Sequence, residues 1–204
     1  MEKFTDFDSF RASLGKCEQC GLCATRQNTV CDNYSGEGKQ KIMFLGEAPG
    51  KEEDLLGTPF AGQAGKNLER LLMAAGINRA TIYIGNTVKC RPVKGGKSGY
   101  INRKPTPAEI NACHDWLMSE IAVINPRIIV TLGAVPLSVF LGVSPRMEDY
   151  HGREILPEEI KTQMLSQKQR LYSLYHPAAM IYDRKKEAVL TKDMLALSGI
   201  IKAL

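Results

Sequence analysis

Four short apolar runs set the frame of this 204-residue chain: KIMFLG from Lys41 to Gly46, TIYIGNTV from Thr81 to Val88, RIIVTLG from Arg127 to Gly133, and RLYSLY from Arg170 to Tyr175. Each is the length of a strand and is rich in β-branched or aromatic residues. Helical patterns lie between them. Leu68, Leu71, Leu72 and Ala75 share one helix face before Gly76. Ile110, Cys113, Leu117 and Ile121 share another, behind a Thr106-Pro107-Ala108-Glu109 capping box. Apolar strands alternating with helices predict an α/β fold with a parallel sheet covered on both faces. A short amphipathic helix is expected over Phe4, Phe7, Phe10 and Leu14, and a last helix from about Lys185 to Leu204.

The longest apolar stretch, Ile128 to Val143, is interrupted by Thr131, Gly133, Pro136 and Ser138. It is too short and too broken for a membrane span and reads as a buried strand followed by a short helix. The opening MEKFTDFDSF lacks the basic head and apolar run of a secretory signal, so a cytoplasmic location is expected. With 44% hydrophobic and 24% charged residues, the chain is expected to form one globular domain over residues 1–204. Its net charge of +5 allows a polyanionic partner but fits an ordinary basic protein equally well.

Four of the six cysteines fall in CEQCGLCATRQNTVC, Cys17 to Cys31. A reducing cytoplasm favours thiols or metal ligands over disulfides. Cys17 and Cys20 form a C-x2-C that suits zinc or an iron–sulfur cluster. Cys90 just past a strand and Cys113 on an apolar helix face are equally consistent with core packing. Spacing alone does not choose the metal.

In parallel α/β folds, sites gather at the carboxyl ends of the strands. Three strand ends carry suggestive chemistry here: GEAPG, GNTVKCRP and YHPAA. Glu47 stands at a tight turn where a carboxylate can orient water, although such a pentapeptide taken alone is more often a plain turn. Phe60, among the small residues of GTPFAGQAG, suits a stacking platform or the core. Asn86 ends an apolar strand; its amide offers a donor beside an acceptor, the pattern of a pyrimidine edge, or it braces a loop. His176 precedes Pro177 and can donate to a developing oxyanion, although a lone histidine is more often structural. His114 and His151 have no such neighbours and receive no role.

Taken together and in order, CEQCGLC, IMFLGEAPGKEEDLLGTPFAGQAGKNLERLL, YIGNTVKCRP, NRKPTPAEINAC and YHPAAM resemble the family 4 uracil-DNA glycosylases. The resemblance implies a three-layer α/β/α sandwich with a central four-stranded parallel sheet. It also implies a 4Fe-4S cluster on Cys17, Cys20, Cys90 and Cys113, leaving Cys23 and Cys31 outside the ligand set. By the same resemblance Glu47 activates the water, Phe60 stacks on uracil, Asn86 reads its edge, and His176 steadies the uracil oxygen that gains charge. The implied activity is that of a monofunctional DNA glycosylase of base-excision repair: deoxyuridine is flipped out of DNA and its N-glycosidic bond hydrolysed, releasing uracil and leaving an abasic site. A monomer acting on uracil-containing DNA, with no membrane partner, is expected.

Three departures qualify the resemblance. Ala178 stands where the family has a serine after His-Pro, Gln63 stands where an arginine is common, and the stretch between Cys90 and Cys113 is longer around KGGKSGY. That stretch and VKGGKSGY as a whole read as a surface excursion, as does Arg153 to Arg170. Lys94, Lys97, Arg103, Lys104 and Arg184 are candidate phosphate contacts, against the commoner reading of a solvated charged surface. A duplex wedge is expected between Met180 and Lys185. A related group bonds covalently to the excised site through a histidine in this region, but no histidine lies between Cys90 and Cys113. The rival readings are a noncatalytic or altered-specificity DNA-binding member of the superfamily and a zinc-binding nucleic-acid protein.

Overall fold

The computed structural model describes residues 4, 6–32, 42–97, 99–162, 165–166 and 168–203. Lys41 and Leu204, expected at element ends, lie outside the described residues. The chain runs through α1 (Phe7–Gly15), β1 (Ile42–Gly46), α2 (Lys51–Leu56), α3 (Gln63–Ala74), β2 (Ile82–Asn86), β3 (Val93–Gly96) and β4 (Gly99–Asn102). It continues through α4 (Pro107–Ile124), β5 (Ile128–Leu132), α5 (Ala134–Leu141), β6 (Arg153–Ile155), β7 (Arg170–Leu174), α6 (Ala179–Tyr182) and α7 (Lys185–Lys202).

The main sheet has strand order β2-β1-β5-β7-β6. The first four strands are parallel and β6 runs antiparallel to β7 at the edge. Five strands, not the expected four, therefore make up the sheet. The extra one comes from the stretch read as a surface excursion. Its REI triplet carries one apolar side chain, Ile155, and so leaves no strand signature; its pairing with β7 buries Ile155 in the core and is accompanied by a part-exposed bidentate ion pair from Arg170 to Glu154 at 2.7 and 2.5 Å. The other excursion folds as the exposed β3–β4 hairpin.

Side chains alternate across the sheet with period two. Ile42, Phe44, Ile82, Ile84, Ile128 and Val130 face Leu68, Leu71 and Leu72 of α3 and Leu190, Met194 and Leu197 of α7. Met43, Leu45, Tyr83, Ile129 and Leu171 face α1, α4 and α5 through Phe10, Leu117 and Phe140. That is why the strands read as unbroken apolar runs: both faces are buried, and each such side chain contributes about 1.5–3 kcal/mol. The Thr106 box forms as expected, its hydroxyl accepting from Glu109 N–H at 3.3 Å while the Glu109 carboxylate accepts from Thr106 N–H at 2.8 Å. Among the described residues no helix is long and apolar enough to cross a membrane.

Candidate functional site

Parallel strands deliver their carboxyl ends to one edge of the sheet, and there Gly46 of β1 lies in register with Asn86 of β2. A side chain at Gly46 would put its Cβ 2.5 Å from Asn86 Oδ1 and 2.8 Å from the Phe60 ring. Glycine is needed there so that the two groups can share the space. Phe60 has φ of 54°, in the left-handed region, a conformation that costs an aromatic residue about 1–3 kcal/mol. Gly65 permits it, because a Cβ at that position would lie 1.6 Å from the Phe60 carbonyl oxygen. The loops before α2 and α3 are clasped by Glu53, whose carboxylate accepts from Gly50 N–H at 3.0 Å and from Gly62 N–H at 2.8 Å.

Behind β7, the His176 ring lies against Phe60, centroids 5.7 Å apart and planes 24° from parallel. Its Nδ1 accepts from Ala178 N–H at 3.1 Å, which leaves the proton of the neutral ring on Nε2. Burial pushes its pKa down to about 4, so the ring is neutral at pH 7. The contribution of Ala178 is its backbone N–H, for which no hydroxyl is required. Asn67 of α3 steadies the same loop, donating to Pro177 O at 3.1 Å.

Asn86 is 3% exposed, and its side-chain amide has no hydrogen-bond partner among the described residues; its polar atoms open onto the cleft, since the fully buried side-chain polar atom left without a partner among those residues is Ser173 Oγ. The Asn86 backbone carbonyl oxygen accepts from the Lys89 ammonium at 2.6 Å. Lys89 is fully buried and pairs with the equally buried Glu120 at 2.5 Å, whose other oxygen accepts from Tyr83 OH at 2.8 Å. Phe60, Asn86 and His176 line one cleft of about 330 Å³, with Gln63 and Asn102. Glu47 does not line it, but the next residue, Ala48, does. Burial raises the Glu47 carboxyl above its ordinary pKa, while nearby Lys104 pulls it the other way.

A partly apolar cleft, an unpaired amide on its wall and a neutral imidazole with an N–H make a site for a small, planar, polar ring. The family model described as the uracil DNA glycosylase superfamily matches residues 34–197. This chain belongs to that superfamily. Curated relatives named type-4 uracil-DNA glycosylase share its sequence over most of their length. The Thermotoga maritima protein is 38% identical over 92% of this chain and 90% of its own. The Saccharolobus solfataricus protein is 36% identical over 92% and 83%, and that of Archaeoglobus fulgidus 34% over 86% and 83%.

A second cluster of this superfamily member lies just beyond β2. Cys20, Cys90 and Cys113 gather around Leu22 and Val88, and Cys17 is close enough to Cys113 to act on it electrostatically. None of the four forms a disulfide. Three of their sulfurs receive N–H donors: Cys17 from Trp116 at 3.1 Å, Cys113 from the Lys89 backbone at 3.4 Å, and Cys90 from Arg26 at 3.5 Å. Burial pushes Cys90 up to about 12 and raises Cys113, so both stay protonated at neutral pH unless a metal replaces the proton. Among the described residues no three His, Cys, Asp or Glu side chains form a group that could hold a metal ion. Cys31 lies elsewhere, in the core with Phe7 and Phe10, and burial pushes it to about 11.

The basic candidates divide. Lys94, Lys97, Lys104 and Arg184 are exposed. Arg103 is engaged instead, gripping Glu109 at 2.7 and 2.6 Å and donating to Val93 O at 2.9 Å. Sequence reasoning missed Glu53, Asn67, Lys89, Glu120, Arg26 and Trp116. Each acts through a partner far along the chain, apart from Glu53, and no local pattern marks them.

Proposed function

We propose that this protein is a monofunctional uracil-DNA glycosylase of base-excision repair, acting as a single-domain monomer in the cytoplasm. The observation that carries the reading is the unpaired Asn86 amide, open to the cleft beside the Phe60–His176 stack. A pyrimidine edge with an acceptor beside an N–H would meet both its donor and its acceptor, each hydrogen bond contributing about 0.5–1.5 kcal/mol net once water is displaced. Cytosine presents a donor at its 4-position where uracil presents an acceptor, so it would mismatch an amide held in one orientation.

The base must leave the stack to reach such a cleft. Ile181 and Tyr182, exposed on the helix that follows the His176 loop, would fill the gap it leaves. Phe60 then offers its face to the ring. As the glycosidic bond breaks, negative charge gathers on the base, and the Nε2–H of neutral His176 donates to the oxygen that takes it up. Glu47, ionised, orients the water that attacks the sugar carbon and takes its proton.

Four converging cysteines, three of them with N–H donors to sulfur, fit the donor set of a 4Fe-4S cluster. Cys17, Cys20, Cys90 and Cys113 would hold it. When bound, it would tie the segment after α1 to the exit of β2 and to α4. Cys90→Ala should therefore lose the brown colour and the iron, and Cys31→Ala should keep both; equal iron in both variants would refute the ligand set. Incubation with a uracil-containing oligonucleotide, followed by alkali, should cut the strand at uracil. Uracil-dependent binding without an abasic product would point instead to the noncatalytic reading.

A further inference from the structure

The longer stretch between Cys90 and Cys113 is a folded arm attached to the cleft. In the β3–β4 hairpin Val93 pairs with Asn102, Lys94 with Ile101, Gly95 with Tyr100 and Gly96 with Gly99. Asn102 lines the cleft. Tyr100 lies two residues from it on the same strand, so it projects from the same face, about 7 Å further out. The residue opposite it is Gly95, which leaves that flank of the ring open. Tyr100 is 60% exposed. The base of the hairpin is fixed: Arg91 Nε donates to Asn102 Oδ1 at 2.7 Å, and Arg103 N–H donates to Pro92 O at 3.1 Å.

We propose that Tyr100 is a stacking platform for the nucleotide next to the one whose base enters the cleft, and that the hairpin is a second DNA-binding element of this protein. The inference rests on the glycosylase reading for its occupant. Continuity with the cleft supports it, because Tyr100 shares a face of β4 with Asn102, which lines the cleft. Charge supports it too: exposed Lys94 and Lys97 on the hairpin and Lys51 at the cleft form no ion pairs among the described residues. Stacking on one aromatic side chain suits any base, so the arm adds affinity and not sequence preference.

The test is steady-state kinetics on a single-stranded uracil oligonucleotide, joined to binding of an oligonucleotide carrying a tetrahydrofuran abasic-site analogue with 2-aminopurine on one side or the other. Tyr100→Ala should raise KM and Kd by about fivefold to a hundredfold with kcat unchanged. Tyr100→Phe should stay within about twofold of wild type. Ile101→Ser, on the opposite face, should also be unchanged. One of the two 2-aminopurine positions should be quenched by wild type and by Tyr100→Phe but not by Tyr100→Ala. Unchanged binding in Tyr100→Ala, or an equal loss in Ile101→Ser, would overturn the proposal. If wild type releases no uracil, the glycosylase reading fails, and the binding and quenching results alone decide whether the hairpin holds DNA.

Discussion

At the floor of the cleft, Asn86 is 3% exposed and hangs from a backbone fixed by a buried Lys89–Glu120 pair, while Phe60 is forced into a left-handed conformation against it. At the rim, Tyr100, Lys94 and Lys97 stand in solvent on a two-stranded hairpin that Arg91 ties to Asn102 at its base. The floor has its geometry set before any ligand arrives, and its polar atoms wait for one particular partner. The rim offers charge and one ring face with little fixed orientation. Discrimination between bases belongs to the first region and affinity for the strand to the second, because only fixed, desolvated groups penalise a mismatch.

That division can be broken most forcefully at Glu47. Glu47→Gln should lower kcat by about a hundredfold to ten-thousandfold with little change in KM. In wild type the activity should fall on the acid side at a pH above the ordinary carboxylate value of 4.5, since burial raises this group and it must be ionised to act. His176, at about 4, stays neutral through that window and adds no limb of its own. An acid limb that survives Glu47→Gln would assign the base elsewhere. His176 has a different signature in stability: its pKa is depressed from 6.5, so its contribution is complete above that pH and is lost as pH falls toward 4. Denaturant titrations of wild type and His176→Gln over pH 7 to 4 should diverge in that direction.

Next comes the brace beneath the floor. Glu120→Ala leaves the Lys89 ammonium buried without its counter-charge and should cost about 3–5 kcal/mol of stability, read as a lower urea midpoint. A loss below 1 kcal/mol would mean that water or another group reaches Lys89. The smallest effect belongs to the rim. Lys94→Ala and Lys97→Ala should each reduce the salt dependence of binding by about 1 in the slope of log K against log salt, leaving kcat untouched. A change in kcat without a change in slope would erase the distinction between floor and rim.

Much of this was legible in the residues themselves. The four parallel strands declared themselves because both faces are buried, and Thr106 and Glu109 marked the start of α4 because capping is local. Glu47, Phe60, Asn86 and His176 were found through ordered motifs, and the structure brings Phe60, Asn86 and His176 to one cleft and sets Glu47 beside it. What stayed hidden depends on distant partners. β6 is a strand because it pairs with β7, far along the chain, and nothing in REI announces that. Lys89 read as part of a loop, yet it is buried against a carboxylate 31 residues away. Arg103 read as a phosphate contact because its charge is visible in sequence, whereas its grip on Glu109 is not. The hairpin's polar glycine-rich sequence shows no inward and outward faces, so the side on which Tyr100 stands emerges only from its register with Gly95.

The central claim is that the Asn86 amide, unpaired and open to the cleft, reads uracil, and single-turnover cleavage of a uracil oligonucleotide by wild type and Asn86→Ala tests it most directly. Wild type should release uracil and leave an alkali-labile site while sparing cytosine, and Asn86→Ala should be slower by about a hundredfold to a thousandfold. Equal rates for the two proteins would contradict it.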